Sequence, residues 1–198
     1  VIGIVGGSGD FGRGLAPRLE RAGEKVLLGS RTPRDDLVAN EEVCERADVV
    51  FLSVPPVGVE DMARNLAPLL VSKIVVSVAA PIVFRDGRPA AATGELSLAE
   101  LAARGAPEAR VVAGFHTVSA KGLARADRPL HEDVLLAGDD DAAKTEVGRL
   151  AELVVEGRAV DCGRLEVARW LEPLTAVILN VNRRYRANAG VVVTGLGE

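Results

Sequence analysis

Short apolar runs, rich in β-branched residues, recur along the chain: "VIGIV" at 1–5, "KVLLG" at 25–29, "VVFLSV" at 49–54, "KIVVSVA" at 73–79, "RVVAGF" at 110–115, "DVLLAG" at 133–138 and "GRAVDCG" at 157–163. Their apolar positions are continuous rather than alternating, the pattern of strands covered on both faces. Between most of them lie helical patterns, at 11–22 with Phe11, Leu15 and Leu19 on one face, at 59–70, and from near Asp140 onward. Strand, helix, strand at this repeat predicts an α/β fold with a doubly wound, mostly parallel sheet. The linker after the second run holds Pro33 and Asp35-Asp36, and leaves room for only a short helix at 41–46. A last helical region spans 165–186, where Pro173 is expected to kink or restart the helix and expose backbone near Arg169 and Thr175. Leu171, Leu174, Ile178 and Val181 share one face of it, to pack on the core or across a dimer interface. The tail "AGVVVTGLG" at 189–197 is expected as an edge strand.

At 198 residues the chain suits one dinucleotide-binding domain over 1–198, with 164–198 as a C-terminal helical annex that dimerises it. Net charge is -4 with both signs interspersed, which argues against nucleic acid or an anionic membrane as partner. No apolar run is long enough to span a bilayer, and Cys44 and Cys162 fit neither a disulfide framework nor a zinc site, so a cytoplasmic protein is expected.

Candidate chemistry begins directly after the first run. "GGSGDFG" places Gly7, Gly9 and Gly12 in G-x-G-x-x-G between a strand and a helix, with Ser8, Asp10 and Phe11 between and beside them. The first glycine permits a tight turn, the second lets backbone approach a pyrophosphate, and the third lets helix and strand pack closely. Some twenty residues on, where an NAD site offers an acid, stand Ser30 and Arg31, with Thr32 and Arg34 after them. A hydroxyl and a guanidinium suit a 2′-phosphate, so NADP(H) is favoured.

Ligands of an open parallel sheet bind beyond the carboxyl ends of its strands. There lie Ser53, Val54 and Pro55, then Val78 and Ala79, then His116 and Ala120. The set is poor in acids and bases and suits a flat slot for stacked rings exchanging a hydride, with no catalytic acid or base. His116 is either a ligand contact or a structural histidine, and His131 reads as surface. "GDDDAAK" at 138–144 reads as helix capping rather than a metal site.

"GGSGDFGRGLAPRL", "GSR", "SVP", "HTVSA", "AGDDDAAK" and "DCGRLEVARWLEPLTAVILN" together resemble the coenzyme F420-dependent NADP oxidoreductases nearly end to end. The resemblance implies reversible hydride transfer between NADP(H) and coenzyme F420, an 8-hydroxy-5-deazaflavin. It also implies NADP contacts at Ser8, Gly9, Asp10 and Phe11, a 2′-phosphate held by Ser30 and Arg31, and Ala120 near the nicotinamide. His116, Arg169 and Thr175 would face the deazaflavin, and a homodimer is expected. The family carries a longer helical segment after its Ser-Arg pair and a serine where Pro173 stands. The fold alone also permits an NADPH-dependent reductase of a flavin or of a small imine or carbonyl, or an NADP(H)-sensing module.

Overall fold

In a computed structural model that describes residues 1–196, the apolar runs become strands of one eight-stranded sheet. Its elements are β1 (Ile2–Val5), α1 (Asp10–Arg21), β2 (Val26–Ser30), β3 (Leu37–Ala39), α2 (Asn40–Arg46), β4 (Val49–Leu52), α3 (Val59–Leu66) and β5 (Ile74–Ser77). A separate hairpin, β6 (Ile82–Arg85) and β7 (Arg88–Ala91), is followed by α4 (Leu98–Gly105), β8 (Arg110–Ala113) and α5 (Ala120–Leu123). Then come β9 (Val134–Gly138), α6 (Asp141–Glu152), β10 (Ala159–Asp161) and α7 (Ala168–Tyr185).

The strand order is β10-β9-β8-β5-β4-β1-β2-β3, with every pair parallel except β8 and β9. The chain runs outward from β1 through β2 to β3, then returns to β4 on the other side of β1, so the winding reverses between β1 and β4. Central strands are buried on both faces, as their continuous apolar runs require. In β4, Val50 and Leu52 enter the core beneath α2, α3 and α4, while Val49 and Phe51 enter the opposite core beneath α1 and α6.

Several elements differ from the sequence expectation. The hairpin is unforeseen, although Asp86 (φ 49°) and Gly87 (φ 69°) at its tip are a left-handed Asp-Gly turn with a plain sequence signature. Helix α4 was also missed; Ser97 and Glu100 form a reciprocal capping box at its start. The tail is not a strand in its described part, 189–196. Asp133 captures it instead, donating its N–H to the Val191 carbonyl at 2.7 Å and accepting from the Val193 N–H at 2.8 Å. Helix α7 does not restart at Pro173. The proline removes only the bond to the Arg169 carbonyl, and burial of Leu171, Glu172 and Ala176 around it holds the helix. The expected α7 face divides: Leu171 joins the core, Ile178 lines a cavity, and Leu174 and Val181 are half-buried, while Trp170 and Val177 beside that face stand exposed.

Glu172 fixes α7 in place. It is 1% exposed and accepts the N–H groups of Leu98 and Ala99, each at 2.8 Å, so an α7 carboxylate closes the N-terminus of α4. Burial pushes its carboxyl up to about 7. The folded chain therefore binds this proton more tightly than the unfolded chain, and the residue's stabilising contribution falls as pH rises from about 4.5 to about 7. Glu172→Ala, which orphans two buried donors, is expected to lower unfolding free energy by about 1–3 kcal/mol. Glu172→Gln is expected to lose less and to gain on the parent as pH is raised through that window, as denaturant titrations at several pH values will show.

Candidate functional site

Backbone contacts shape the turn after β1. The positive φ (73°) falls on Gly6, one residue before the glycine to which the sequence reading assigned the tight turn, and a Cβ there would lie 2.2 Å from the Ser53 carbonyl oxygen. Gly7 is needed for proximity instead: its N–H donates to the Gly29 carbonyl at 2.8 Å, and a Cβ would meet Leu28 at 2.8 Å. A Cβ on Gly12 would strike the Cα and carbonyl oxygen of Gly7 at 2.7 Å, so α1 rests directly on the turn. Gly9 is different. Its only neighbour is the Gly6 oxygen at 3.6 Å, and it begins α1 with no side-chain cap. Open space therefore stands over the free N–H groups of a helix N-terminus, flanked by exposed Ser8 and Asp10.

Beyond β2, the Ser30 hydroxyl accepts the Thr32 N–H at 3.1 Å. Arg31 and Arg34 are exposed, and among the described residues neither side chain enters an ion pair. Arg34 and Leu37 exchange backbone hydrogen bonds at 3.1 and 2.8 Å, closing a tight loop through Asp35 at φ 50°. Across the crevice, Val54 packs beside Gly6 and Pro55 is exposed. Val78 is half-buried against the core under α1. The Ala79 methyl is buried in the opposite core, so only its backbone is left for a ligand contact.

At the end of β8, Phe115 adopts φ 64°, a strained conformation for a bulky residue. Edge-on contacts with Phe11 (6.3 Å between centroids) and Phe51 (5.4 Å) over-determine it. The next residue, His116, is 7% exposed; its ring is held by the Ser77 backbone, and its Nε2 has no partner. Burial lowers its pKa to about 4, so the imidazole is neutral at pH 7. The Ser77 hydroxyl beneath is also unpartnered. Thr175 on α7 donates its hydroxyl to the His116 carbonyl at 2.8 Å.

A cavity of about 850 Å³ brings Asp10, His116, Ala120 and Thr175 together, with Lys121 and Arg183 among its further walls. Buried Arg18 of α1 fixes one side, donating to the carbonyls of Gly122, Leu123, Arg125, Arg128 and Val154 and so holding α5 against the glycine helix. Arg169 is not brought to this cavity. Lying six residues before Thr175, it points about 120° away around the helix. Its Nε bonds Glu100 at 2.8 Å, and it lines a separate cavity of about 190 Å³ beside Pro173. The Arg169 guanidinium holds the Glu100 carboxyl down at about 2.

The acidic run at 139–141 is taken up by local contacts: Asp140 accepts the Ala143 N–H at 2.7 Å and Asp139 pairs with Arg164. Exposed His131 pairs with Glu156. Among the described residues no group of three or more His, Cys, Asp or Glu could hold a metal ion.

The family model described as "NADP oxidoreductase coenzyme F420-dependent" matches residues 1–81. The chain is 35% identical to the F420-dependent NADP reductase of Methanothermobacter marburgensis, over 100% of this chain and 99% of that protein. It belongs to the F420-dependent NADP oxidoreductases. The enzyme of that name from Methanocaldococcus jannaschii is 31% identical over 98% of both chains. A solved structure from Arthrobacter sp. FB24, assigned to the F420-dependent NADP reductases, superimposes with a TM-score of 0.86 at 27% identity, covering 98% of this chain and 99% of that one.

The donor set fits the family's dinucleotide, because the turn leaves its space at Gly9 and keeps Gly7 and Gly12 for packing. Gly9→Ala is therefore expected to keep the parent melting temperature and lose NADPH affinity. Gly12→Ala is expected to lose about 1–3 kcal/mol of stability. Thermal unfolding and isothermal titration of the two variants compare these outcomes.

Proposed function

We propose that this chain transfers a hydride between NADP(H) and coenzyme F420. What carries the reading is the end-to-end likeness to F420-dependent NADP reductases, joined to a cavity that runs from Asp10 at the glycine turn to His116 and Thr175. When bound, the nicotinamide and the deazaflavin supply the hydride chemistry between them. The chain binds, orients and excludes water. The N–H groups after Gly9 hold the pyrophosphate; Ser30, Arg31 and Arg34 hold the 2′-phosphate; Ser53, Val54, Pro55, Val78 and the Ala79 backbone line the dinucleotide's path, with Ala120 at its nicotinamide end. His116, kept neutral by burial and with an unpartnered Nε2, offers a hydrogen bond to the deazaflavin rather than serving as an acid. Thr175 fixes its carbonyl, and Arg169 has no part in this arrangement.

Mixing the protein with NADPH and coenzyme F420 should discharge the absorbance of the oxidised deazaflavin. Confirmed NADPH binding without that loss would sink the assignment; reduction of a flavin or imine instead would favour another reductase, and no reduction of any acceptor a sensor. Arg31→Ala should weaken NADPH about ten- to hundredfold with little change for NADH.

The chain acts in this reading as one dinucleotide-binding unit, in the cytoplasm, where Cys44 and Cys162 stay free thiols. It dimerises through α7. Trp170, Val177 and Tyr185 are 68%, 55% and 71% exposed, and with Leu174 and Val181 they fall at near-heptad spacing. Phe84 of the hairpin, also exposed, extends the surface, since β7 packs on α7 through the Asn180 bond to the Pro89 carbonyl at 2.8 Å. Replacing Trp170 and Val177 together by Glu should convert a dimer into a folded monomer in sedimentation experiments; an unchanged sedimentation coefficient would remove this face from the assembly.

A further inference from the structure

Arg13 and Asp36 form an ion pair across the mouth of the dinucleotide crevice. Arg13 lies in the first turn of α1, where its N–H bonds the Gly9 carbonyl at 3.0 Å. Asp36 lies in the loop after β2 that the Arg34–Leu37 bridge closes. The Arg13 guanidinium engages both carboxylate oxygens, Nη1 with Oδ2 and Nη2 with Oδ1, the latter at 3.2 Å. Both side chains are about half exposed, and the pairing holds the Asp36 carboxyl below its usual range. The bond from the Gly7 N–H to the Gly29 carbonyl makes the glycine turn and the end of β2 immediate neighbours. In this fold, the adenosine ribose of a dinucleotide whose pyrophosphate meets the helix N-terminus lies between those two segments. The Asp36 carboxylate thus engages, in bidentate fashion, a guanidinium on the rim of the ribose site.

We propose that Arg13 is a third guanidinium of the 2′-phosphate site, beside Arg31 and Arg34, and that Asp36 is a built-in competitor which holds Arg13 until the phosphate displaces it. The exchange is favourable on charge and geometry. A guanidinium fork accepts carboxylate and phosphate alike, but a phosphate monoester carries up to two charges near neutral pH. Solvent screens an exposed ion pair strongly, so little holds Arg13 to Asp36 against that rival. A dinucleotide without the 2′-phosphate leaves the pair intact. Arg13 thus adds to the preference for NADPH, and Asp36 tempers it, because it lowers the affinity for NADPH while leaving NADH alone. The inference rests on NADP(H) as the dinucleotide and not on the identity of the acceptor.

Dissociation constants for NADPH, NADH, 2′,5′-ADP and 5′-AMP, measured by calorimetry on Arg13→Ala, Asp36→Asn, the double variant and Arg31→Ala, test it without turnover. Arg13→Ala should weaken NADPH and 2′,5′-ADP about tenfold and change NADH and 5′-AMP by no more than about twofold. Asp36→Asn should tighten NADPH about threefold or more, and that gain should shrink to within about twofold when Arg13 is absent. Equal losses for NADPH and NADH in Arg13→Ala, unchanged NADPH binding, or weaker NADPH binding in Asp36→Asn would each overturn the proposal. Should Arg13→Ala unfold the chain, Asp36→Asn alone decides by the sign of its effect. If Arg31→Ala leaves NADPH untouched while Arg13→Ala weakens it, the Ser30–Arg31 clamp fails and the role of Arg13 stands.

Discussion

The site depends on backbone passing against backbone where the sheet reverses its winding. Gly6 sits so close under the Ser53 carbonyl that any side chain there would collide, and Gly12 rests on Gly7 too closely for a Cβ as well. These contacts bring the turn after β1, the end of β4 and the start of α1 into one corner and aim the α1 N–H groups out of it. A Cβ on Gly12 would move the helix, because the atoms it meets are Gly7 backbone, and a Cβ on Gly6 would push on the backbone just after β4. Gly9 alone escapes this constraint, so anion binding and structural closure fall on different residues of one short loop.

The cavity at His116 is assembled from parts far apart in sequence. Arg18 draws five carbonyls around its guanidinium and so ties α1 to the segment carrying Ala120. Glu172 does the equivalent for α7, engaging the N-terminus of α4 and thereby setting where Thr175 meets the His116 carbonyl. Both are ionisable groups buried with most of their hydrogen-bonding capacity met by backbone, which makes such burial tolerable. The Glu172 pairing also gives the α7 wall of the cavity a dependence on pH.

Much of this was legible in the chain. Continuous apolar runs identified the buried strands, and the glycine spacing marked the tight strand-to-helix turn after β1, because both signals come from neighbouring residues and local geometry. The hairpin and α4 also had local signatures, in Asp86-Gly87 and Ser97-Leu98-Ala99-Glu100, that the apolar pattern overshadowed. What local pattern could not supply was side-chain direction set by distant partners. Arg169 resembles a ligand residue in sequence, yet Glu100, 69 positions away, engages it in another cavity. Asp36 follows the clamp too late to replace the ribose-binding acid, and nothing nearby marks its partner as Arg13. No sequence signal announces a left-handed phenylalanine at 115 either; it exists because three rings, from α1, β4 and the end of β8, pack edge to edge.

That strained phenylalanine bears on how charge is distributed through the crevice. Cationic side chains gather beyond β2 and at the start of α1, at Arg13, Arg31 and Arg34, and along the cavity wall, at Lys121 and Arg183. Between them, where His116 and Ala120 meet the cavity, the one titratable side chain is an imidazole that burial keeps neutral. A fixed charge beside a migrating hydride would stabilise one redox partner over the other, and the ordered water it retained would compete for the same space. The left-handed turn at Phe115 sends His116 inward from the strand end, where its Nε2 is buried without a partner. The cationic groups thus stand toward the two rims, while the imidazole between them stays uncharged over the physiological range.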